Sequence, residues 1–310
     1  MFSNILIANK VFCAIFLLLL GIIFVDLYGV IIKYLGDVYP MMQMTLFRNI
    51  FAVIPLIILV YFSGELKDIF NDINNKIILL SFFRGISFLV MQCFYFIAII
   101  KMNFATATTL SFCSPIFIVL LSIIILGDKI GIYRWFAVFV GFFGVLLIMK
   151  PTSEVFTIYS LFPLIAAFAW AIANVLLKLF PENISAAKIN LYTLIFSFLG
   201  SLIIFILTTE YESIVNINHW LLLILTGILG GCASIFFIFA YRLMVPSILA
   251  PFEYFGIPSS FILGWIFFSE APIDQLFPGV LGIIIAGLII IWREKKQSLV
   301  EEKYKKLNQP

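Results

Sequence analysis

The chain has 310 residues, of which 64% are hydrophobic and 11% charged, and its mean hydropathy is +1.18. These values exclude an ordinary soluble globular domain and leave lipid as the main solvent. A formal charge of +3 calls for no nucleic-acid partner, because the basic excess lies in one terminal segment.

Ten apolar stretches, each long enough to cross a bilayer, follow one another: 11–32, 41–62, 77–100, 104–126, 132–149, 159–179, 187–208, 219–240, 246–268 and 273–292. Each is expected to be helical, since a peptide group in hydrocarbon must find its partner within its own segment. A closed barrel would show alternation instead of unbroken runs. The expected class is therefore an all-α integral membrane protein with ten transmembrane helices. Span one reads as a retained helix. Its run is too long for a signal core, no small-residue cleavage site follows, and Asp26 and Lys33 sit at its far end. Between spans the basic residues alternate by side, fourteen on the side of the N-terminus against three (Lys33, Lys101 and Lys150) on the other. Both termini are thus expected in the cytoplasm, with the charged tail 293–310 beside the lipid headgroups as a short surface helix or a disordered segment.

Along the chain, span one carries Asp26, span two Arg48 and Asn49, and span three Arg84, Gln92 and Tyr95. Span four offers the hydroxyls of Thr108, Ser111 and Ser114 around Pro115 and ends in Gly127 and Asp128. Span six holds Trp170 and Asn174, and Tyr241 directly follows span eight. Span nine contains Pro251, Glu253, Tyr254 and Pro258, with Gly256, Ser260 and Gly264 on the face of Glu253, and ends in Ser269 and Glu270. The prolines remove backbone donors, and the freed carbonyls must find partners or line a cavity. The small residues beside Glu253 read first as a close-packing face. Cys13, Cys93, Cys113 and Cys232 fall inside spans without metal-like spacing and read as small packing residues. The single histidine, His219, excludes a histidine metal cluster. No cofactor or metal is expected.

The chain repeats itself. Asp128 matches Glu270 at an offset of 142, and Phe136 and Gly141 match Phe277 and Gly282 at 141; Lys33 matches Lys178 more faintly. This divides it into an N-terminal segment 1–10, a five-helix unit 11–149, a linker 150–158, a second five-helix unit 159–292 and the tail. An odd number of crossings forces the second unit to start on the opposite side, so the repeats must be inverted. That arrangement is a recurring basis of alternating access around a site near midplane.

Four charged groups lie well inside spans, where each costs on the order of 2.5–3.5 kcal/mol even on lenient scales. By depth they sort into two opposite-charge pairs, each about 10 Å from a surface: Asp26 with Arg48 in the outer half, and Arg84 with Glu253 in the inner half, linking the repeats. Each pair is either a permanent brace or a gate, and Glu253 is also placed to take a cationic group or a proton. The aromatic rings of Trp170, Tyr95, Tyr241 and Tyr254 offer stacking surfaces, and Gln92, Asn174 and Asn49 are amides that read substrate or bond a neighbouring helix. The candidate substrate-binding or gating residues are Glu253, Arg84, Tyr254, Ser111, Tyr95, Trp170 and Asn174, with Asp26 and Arg48 as a structural or coupling pair.

Two blocks resemble a known family. The first runs from Arg84 and Gly85 through Ala105, Ala107, Pro115, Gly127 and Asp128 to Arg134, Trp135, Ala137, Val138, Gly141, Phe142, Gly144, Val145, Lys150 and Pro151. The second runs from Ala240, Tyr241 and Arg242 through Ala250, Pro251, Phe252, Glu253, Tyr254 and Gly264 to Ser269, Glu270, Pro272, Gly282, Gly287, Arg293 and Glu294. Over nearly its whole length the chain is similar to bacterial EamA-type drug/metabolite transporters. Two departures touch helix ends: the family usually closes its fourth and ninth spans with Gly-Glu, where this chain has Asp128 and Ser269. The resemblance implies a secondary transporter of the inner membrane that moves a small organic metabolite. Its subgroup implies S-adenosylmethionine, riboflavin or an amino-acid-like metabolite as substrate.

No phosphate-cradling loop is present, so any pumping must draw on an ion gradient or on exchange. A membrane enzyme would need a zinc motif, a nucleophile dyad or clustered aspartates, and none is present. A noncatalytic scaffold or channel is the other alternative. A homodimer would have to form through lipid-facing helices.

Overall fold

A peptide group facing lipid has no water to bond, and the chain meets that constraint with helices throughout. The computed structural model describes residues 2–65, 69, 74–149, 158–270, 277 and 279–292, with the side chains of 2–9, 145, 148 and 149 excepted. The expected linker apart from Ile158, the charged tail and the start of the tenth expected span lie outside the described residues. Among the described residues there is no strand.

The elements are α1 (Phe2–Leu35), α2 (Met41–Phe51), α3 (Val53–Ser63), α4 (Asn75–Lys101), α5 (Phe104–Ser111), α6 (Ser114–Leu126), α7 (Ile132–Met149), α8 (Leu161–Val175), α9 (Ala186–Thr208), α10 (Ile217–Leu243), α11 (Pro246–Glu253), α12 (Gly256–Phe268) and α13 (Gly279–Trp292). Seven helical segments are long and apolar enough to cross a membrane. The other three expected spans overlap α7, the α11–α12 pair and α13, which over the described residues fall short of that length or hydropathy. Large apolar side chains face outward, among them Phe62 at 81% and Ile124 at 76% exposure, as lipid contact requires and water would penalise.

Three expected spans are broken, each beside a proline. Pro55 has no N–H for the Phe51 carbonyl, and α2 gives way to α3 at Ala52. Pro115 stands in the first turn of α6, after the break at Phe112 and Cys113. Pro251 lies inside α11 and Pro258 in the first turn of α12, flanking the break at Tyr254 and Phe255.

The repeat expected from the sequence is drawn in the helix limits. Helices α4 and α10 are both 27 residues long and start 142 positions apart, at Asn75 and Ile217. The same displacement relates α5 to α11, both of 8 residues, and α6 to α12, both of 13. Packing follows the same symmetry. Helix α1 lies along α10 as α8 lies along α4, and α2 meets α10 as α9 meets α4. Each half therefore buries its helices mainly against the other half. Glycines let the second contact close: a Cβ on Gly227 would stand 2.2 Å from Phe51 Cβ, and one on Gly85 2.8 Å from the Thr193 carbonyl oxygen.

The broken pairs α5–α6 and α11–α12 run in opposite directions. The Phe104 amide, at the start of α5, meets Glu270 just past the end of α12. Ser114, past the first break, meets Glu253, before the second.

Candidate functional site

The breaks end two helices in the middle of the bundle and bring side chains there that a continuous helix would turn away. Glu253 is the last residue of α11 and Ser114 the first of α6. Ser114 donates to Glu253 Oε2 at 2.7 Å, the Trp170 indole N–H donates to Oε1 at 2.9 Å, and the Tyr241 hydroxyl also donates to Oε1. Donors from both halves thus hold one carboxylate at their junction. Asp26 is held more sparsely: among the described residues its one donor is the Ser259 hydroxyl of α12.

Both carboxylates line a cavity that gives water-sized particles about 80 Å³ of room, enough for several waters. Its walls come from α1 (Ile22, Val25), α4 (Met91, Tyr95), the α5–α6 break (Thr108, Ser111, Phe112, Ser114), α8 (Ala166, Ala167, Trp170) and α10 (Phe237). Among the described residues two acids, four hydroxyls and four rings line it, the Tyr95 side chain supplying one of each of the last two, and no basic side chain does. Such a wall suits an organic cation, because the carboxylates supply the counter-charge and the ring faces a second attraction.

Of the expected site residues, Glu253, Ser111, Tyr95, Trp170 and Asp26 gather on this cavity. Ser111 closes α5 as Glu253 closes α11, at the displacement of 142. Tyr254 is turned away: fully buried, it donates to the Val138 carbonyl at 3.3 Å and covers Gly141. Asn174 donates to the Trp170 carbonyl at 3.0 Å and supports the helix that carries the indole.

Neither expected ion pair forms. Arg84, paired with Glu253 by depth, instead donates to the Ala173 carbonyl at 3.1 Å and to the Thr193 hydroxyl at 2.8 Å. Arg48, paired with Asp26 by depth, donates to Asn49 Oδ1 at 3.0 Å, and its guanidinium lies 5.6 Å from the Tyr28 ring and 5.3 Å from that of Phe88. Depth along the span is silent about azimuth. The acids face inward to the cavity, while both guanidinium groups lie against α9 or α10. Gln92 is fully buried, and both ends of its amide lack a partner among the described residues.

An ion pair does stand at one end of the bundle, between Lys33 and Glu270 at 2.7 Å. Lys33 also donates to the Met102 carbonyl at 3.0 Å. At the other end, the repeat partner Lys178 donates to the Arg242 carbonyl at 2.9 Å, while Oδ2 of Asp128, the partner of Glu270, is buried without a hydrogen bond. Sequence reasoning marked all four positions through the repeat and missed their role, since end-to-end contacts are invisible within one helix. It also missed Ser259, Phe112 and Phe237, whose side chains carry no signal until the breaks are placed.

A polytopic helical bundle built of two like halves around a central cavity that carries two carboxylates on a largely apolar wall is the architecture of a membrane carrier. The chain matches the EamA-like transporter family twice, over residues 12–150 and 157–293, and belongs to that family. It is 31% identical over 192 residues to a riboflavin transporter of Brucella anthropi, covering 61% of this chain and 68% of that one. It is 27% identical over 278 residues to an S-adenosylmethionine uptake transporter of Rickettsia felis, covering 90% and 92%. A pseudopaline exporter of Pseudomonas aeruginosa is 28% identical over 217 residues, covering 69% and 74%. A protein of known crystal structure shares the fold, with a TM-score of 0.71 at 18% identity over 91% of this chain and 95% of that one. The protein is thus a multi-pass membrane transporter of small metabolites, not an enzyme.

Proposed function

We propose that the protein carries a small organic cation of the S-adenosylmethionine type across the bacterial inner membrane, by alternating access between two inverted five-helix repeats with ten crossings in all and both termini cytoplasmic. The observation that carries the reading is the acidity of the cavity: Asp26 and Glu253 stand on its wall, and among the described residues no basic side chain lines it. S-adenosylmethionine brings a sulfonium, an ammonium group and a flat adenine ring, which answer to the carboxylates and to Trp170 and Tyr95. Riboflavin is uncharged and leaves both acids without a counter-charge. The S-adenosylmethionine uptake transporter also aligns over 90% of the chain, against 61% for the riboflavin transporter.

The two ends of the bundle support alternating access. Equivalent lysines and acids stand at both, and the pair is made at one end only. A cavity with room for a few waters is also too small for a nucleoside, so loading requires the halves to move apart.

The test is uptake of radiolabelled S-adenosylmethionine and riboflavin into proteoliposomes, with and without an imposed proton gradient, for wild type and Glu253→Gln. Saturable S-adenosylmethionine uptake that falls at least tenfold in the variant is the expected result. Saturable uptake of riboflavin alone overturns the cation reading and leaves the carrier; no saturable uptake of either substrate or of other organic cations returns the protein to the scaffold or channel alternative.

A further inference from the structure

The acids line the central cavity, and the buried Arg48 borders a different one, with Arg84 bonded to Thr193 on its wall. A second cavity lies among α2, α4, α9 and α10, bounded by Arg48, Phe88, Asn190, Thr193, Ser197 and Ser234. Its room of about 10 Å³ holds one particle of roughly water size. Arg48 is 2% exposed and Arg84 0%, and both guanidinium groups lie within 6 Å of the Phe88 ring, at 5.3 and 5.8 Å. A guanidinium keeps its proton in a protein. Neither has a carboxylate partner among the described residues. Two uncompensated charges at this depth are costly unless something neutralises them.

The hydrogen bonding around the cavity is one-sided. Thr193 Oγ1 already accepts from Arg84, Ser197 Oγ accepts from Asn49 at 3.3 Å, and Asn190 Oδ1 accepts from Ser234 at 2.8 Å. With one acceptor position taken on each oxygen, these groups still have the Thr193 and Ser197 hydroxyl protons and the Asn190 amide protons to give. Arg48 Nε is buried with no acceptor. Gly230 makes room for that guanidinium, since a Cβ there would stand 2.4 Å from Nε. Arg48, Asn190, Thr193 and Ser197 all border the space, and among the described residues no carboxylate does.

We propose that this second cavity is a binding site for a single small monovalent anion, chloride under cellular conditions, held by Arg48, Asn190, Thr193 and Ser197 and sharing the field of Arg84. One layer of rings, Phe88 against Trp170 at 6.2 Å, separates it from the carboxylate cavity, so the anion is a resident of the fold and not part of the cargo. The assignment does not depend on the identity of the transported molecule.

The test is thermal unfolding of the purified full-length protein, free of organic substrate, in sodium chloride and in sodium gluconate at equal ionic strength. Chloride and bromide are expected to raise the melting temperature saturably by about 2–5 °C over gluconate. Asn190→Asp supplies an anion from the chain itself and should melt in gluconate near the wild-type chloride value, with no further halide effect. Thr193→Val, which deletes one donor, should raise the half-saturating chloride concentration roughly tenfold. A wild type that melts alike in chloride and gluconate overturns the proposal, and so does an Asn190→Asp or Thr193→Val protein that keeps the full chloride response at the wild-type midpoint.

Discussion

Lys33 Nζ lies 2.7 Å from Glu270 Oε1, and Glu270 Oε2 accepts the Phe104 amide at 2.6 Å. One carboxylate thereby joins the end of α1 to the start of α5 from its place after α12. Lys33 adds the Met102 carbonyl at the end of α4 and lies 5.0 Å from the Phe268 ring. A contact that gathers three or more helix ends is a latch for that end of the bundle.

Glu270→Gln keeps the shape and removes the charge. With the side chains of Lys33 and Glu270 partly exposed, at 14% and 20%, the loss in folding stability should be small, about 0.5–1.5 kcal/mol. The effect on access should be larger. A cysteine placed at Thr108, in an otherwise cysteine-free protein, should react several-fold faster with an impermeant maleimide added from the Lys33 side once Glu270 is Gln. An unchanged rate would mean that the ion pair is a brace and not a gate.

Glu253 invites a test of its donors one at a time. Tyr241→Phe removes one hydrogen bond to Oε1, and Ser114→Ala removes the one to Oε2. Each variant should lower the maximal transport rate by roughly 10- to 150-fold, since a hydrogen bond to a charged group contributes about 1.5–3 kcal/mol. Because both variants leave the carboxylate in place, saturation should persist, which separates them from Glu253→Gln. Rates equal to wild type in both would remove the carboxylate from the transport cycle.

Helix ends offer a stability test independent of transport. Ser269 has φ 54° and Gly127 φ 69°, each in the left-handed region at the C-terminus of its broken helix. The bonds around them match as well: Asp128 N–H reaches the Ser122 carbonyl at 3.2 Å and Glu270 N–H the Gly264 carbonyl at 3.1 Å. A serine pays a steric penalty in that geometry that a glycine avoids. Ser269→Gly should stabilise the protein by about 0.5–1 kcal/mol and Gly127→Ala destabilise it by about 1 kcal/mol, read as shifts in melting temperature of opposite sign.

Much of this was legible in the sequence, for physical reasons. Lipid imposes helices, the prolines mark the breaks, and the Asp128–Glu270 offset of 142 recurs in the limits of six helices. Asp26 and Glu253 were visible because any charge at that depth needs a reason. What was not legible is direction around a helix axis. Spacing gave Asp26 and Arg48 a common height, and only packing shows the acid against Ser259 and the base against Gly230. Tyr254 misleads for the same reason: it neighbours Glu253 in the chain, and the break sends it outward to Val138.

The two ends of the bundle are equivalent in plan and unequal in length. Asp128 stands where its repeat partner is Glu270, one methylene shorter, and its Oδ2 is buried without a hydrogen bond while Lys178 bonds a carbonyl. The latch is closed at the Lys33 end and unmade at the Lys178 end. Asp128→Glu restores the missing reach, about 1.5 Å, and should let the carboxylate engage Lys178 as Glu270 engages Lys33. If the ends alternate, tightening one loosens the other. The same cysteine at position 108 should then react several-fold faster from the Lys33 side in Asp128→Glu, although the substitution lies at the opposite end. Combining Asp128→Glu with Lys178→Met should return the rate to that of wild type. A faster rate that survives the loss of Lys178 would assign the effect to helix-end geometry, and an unchanged rate in the single variant would uncouple the two ends.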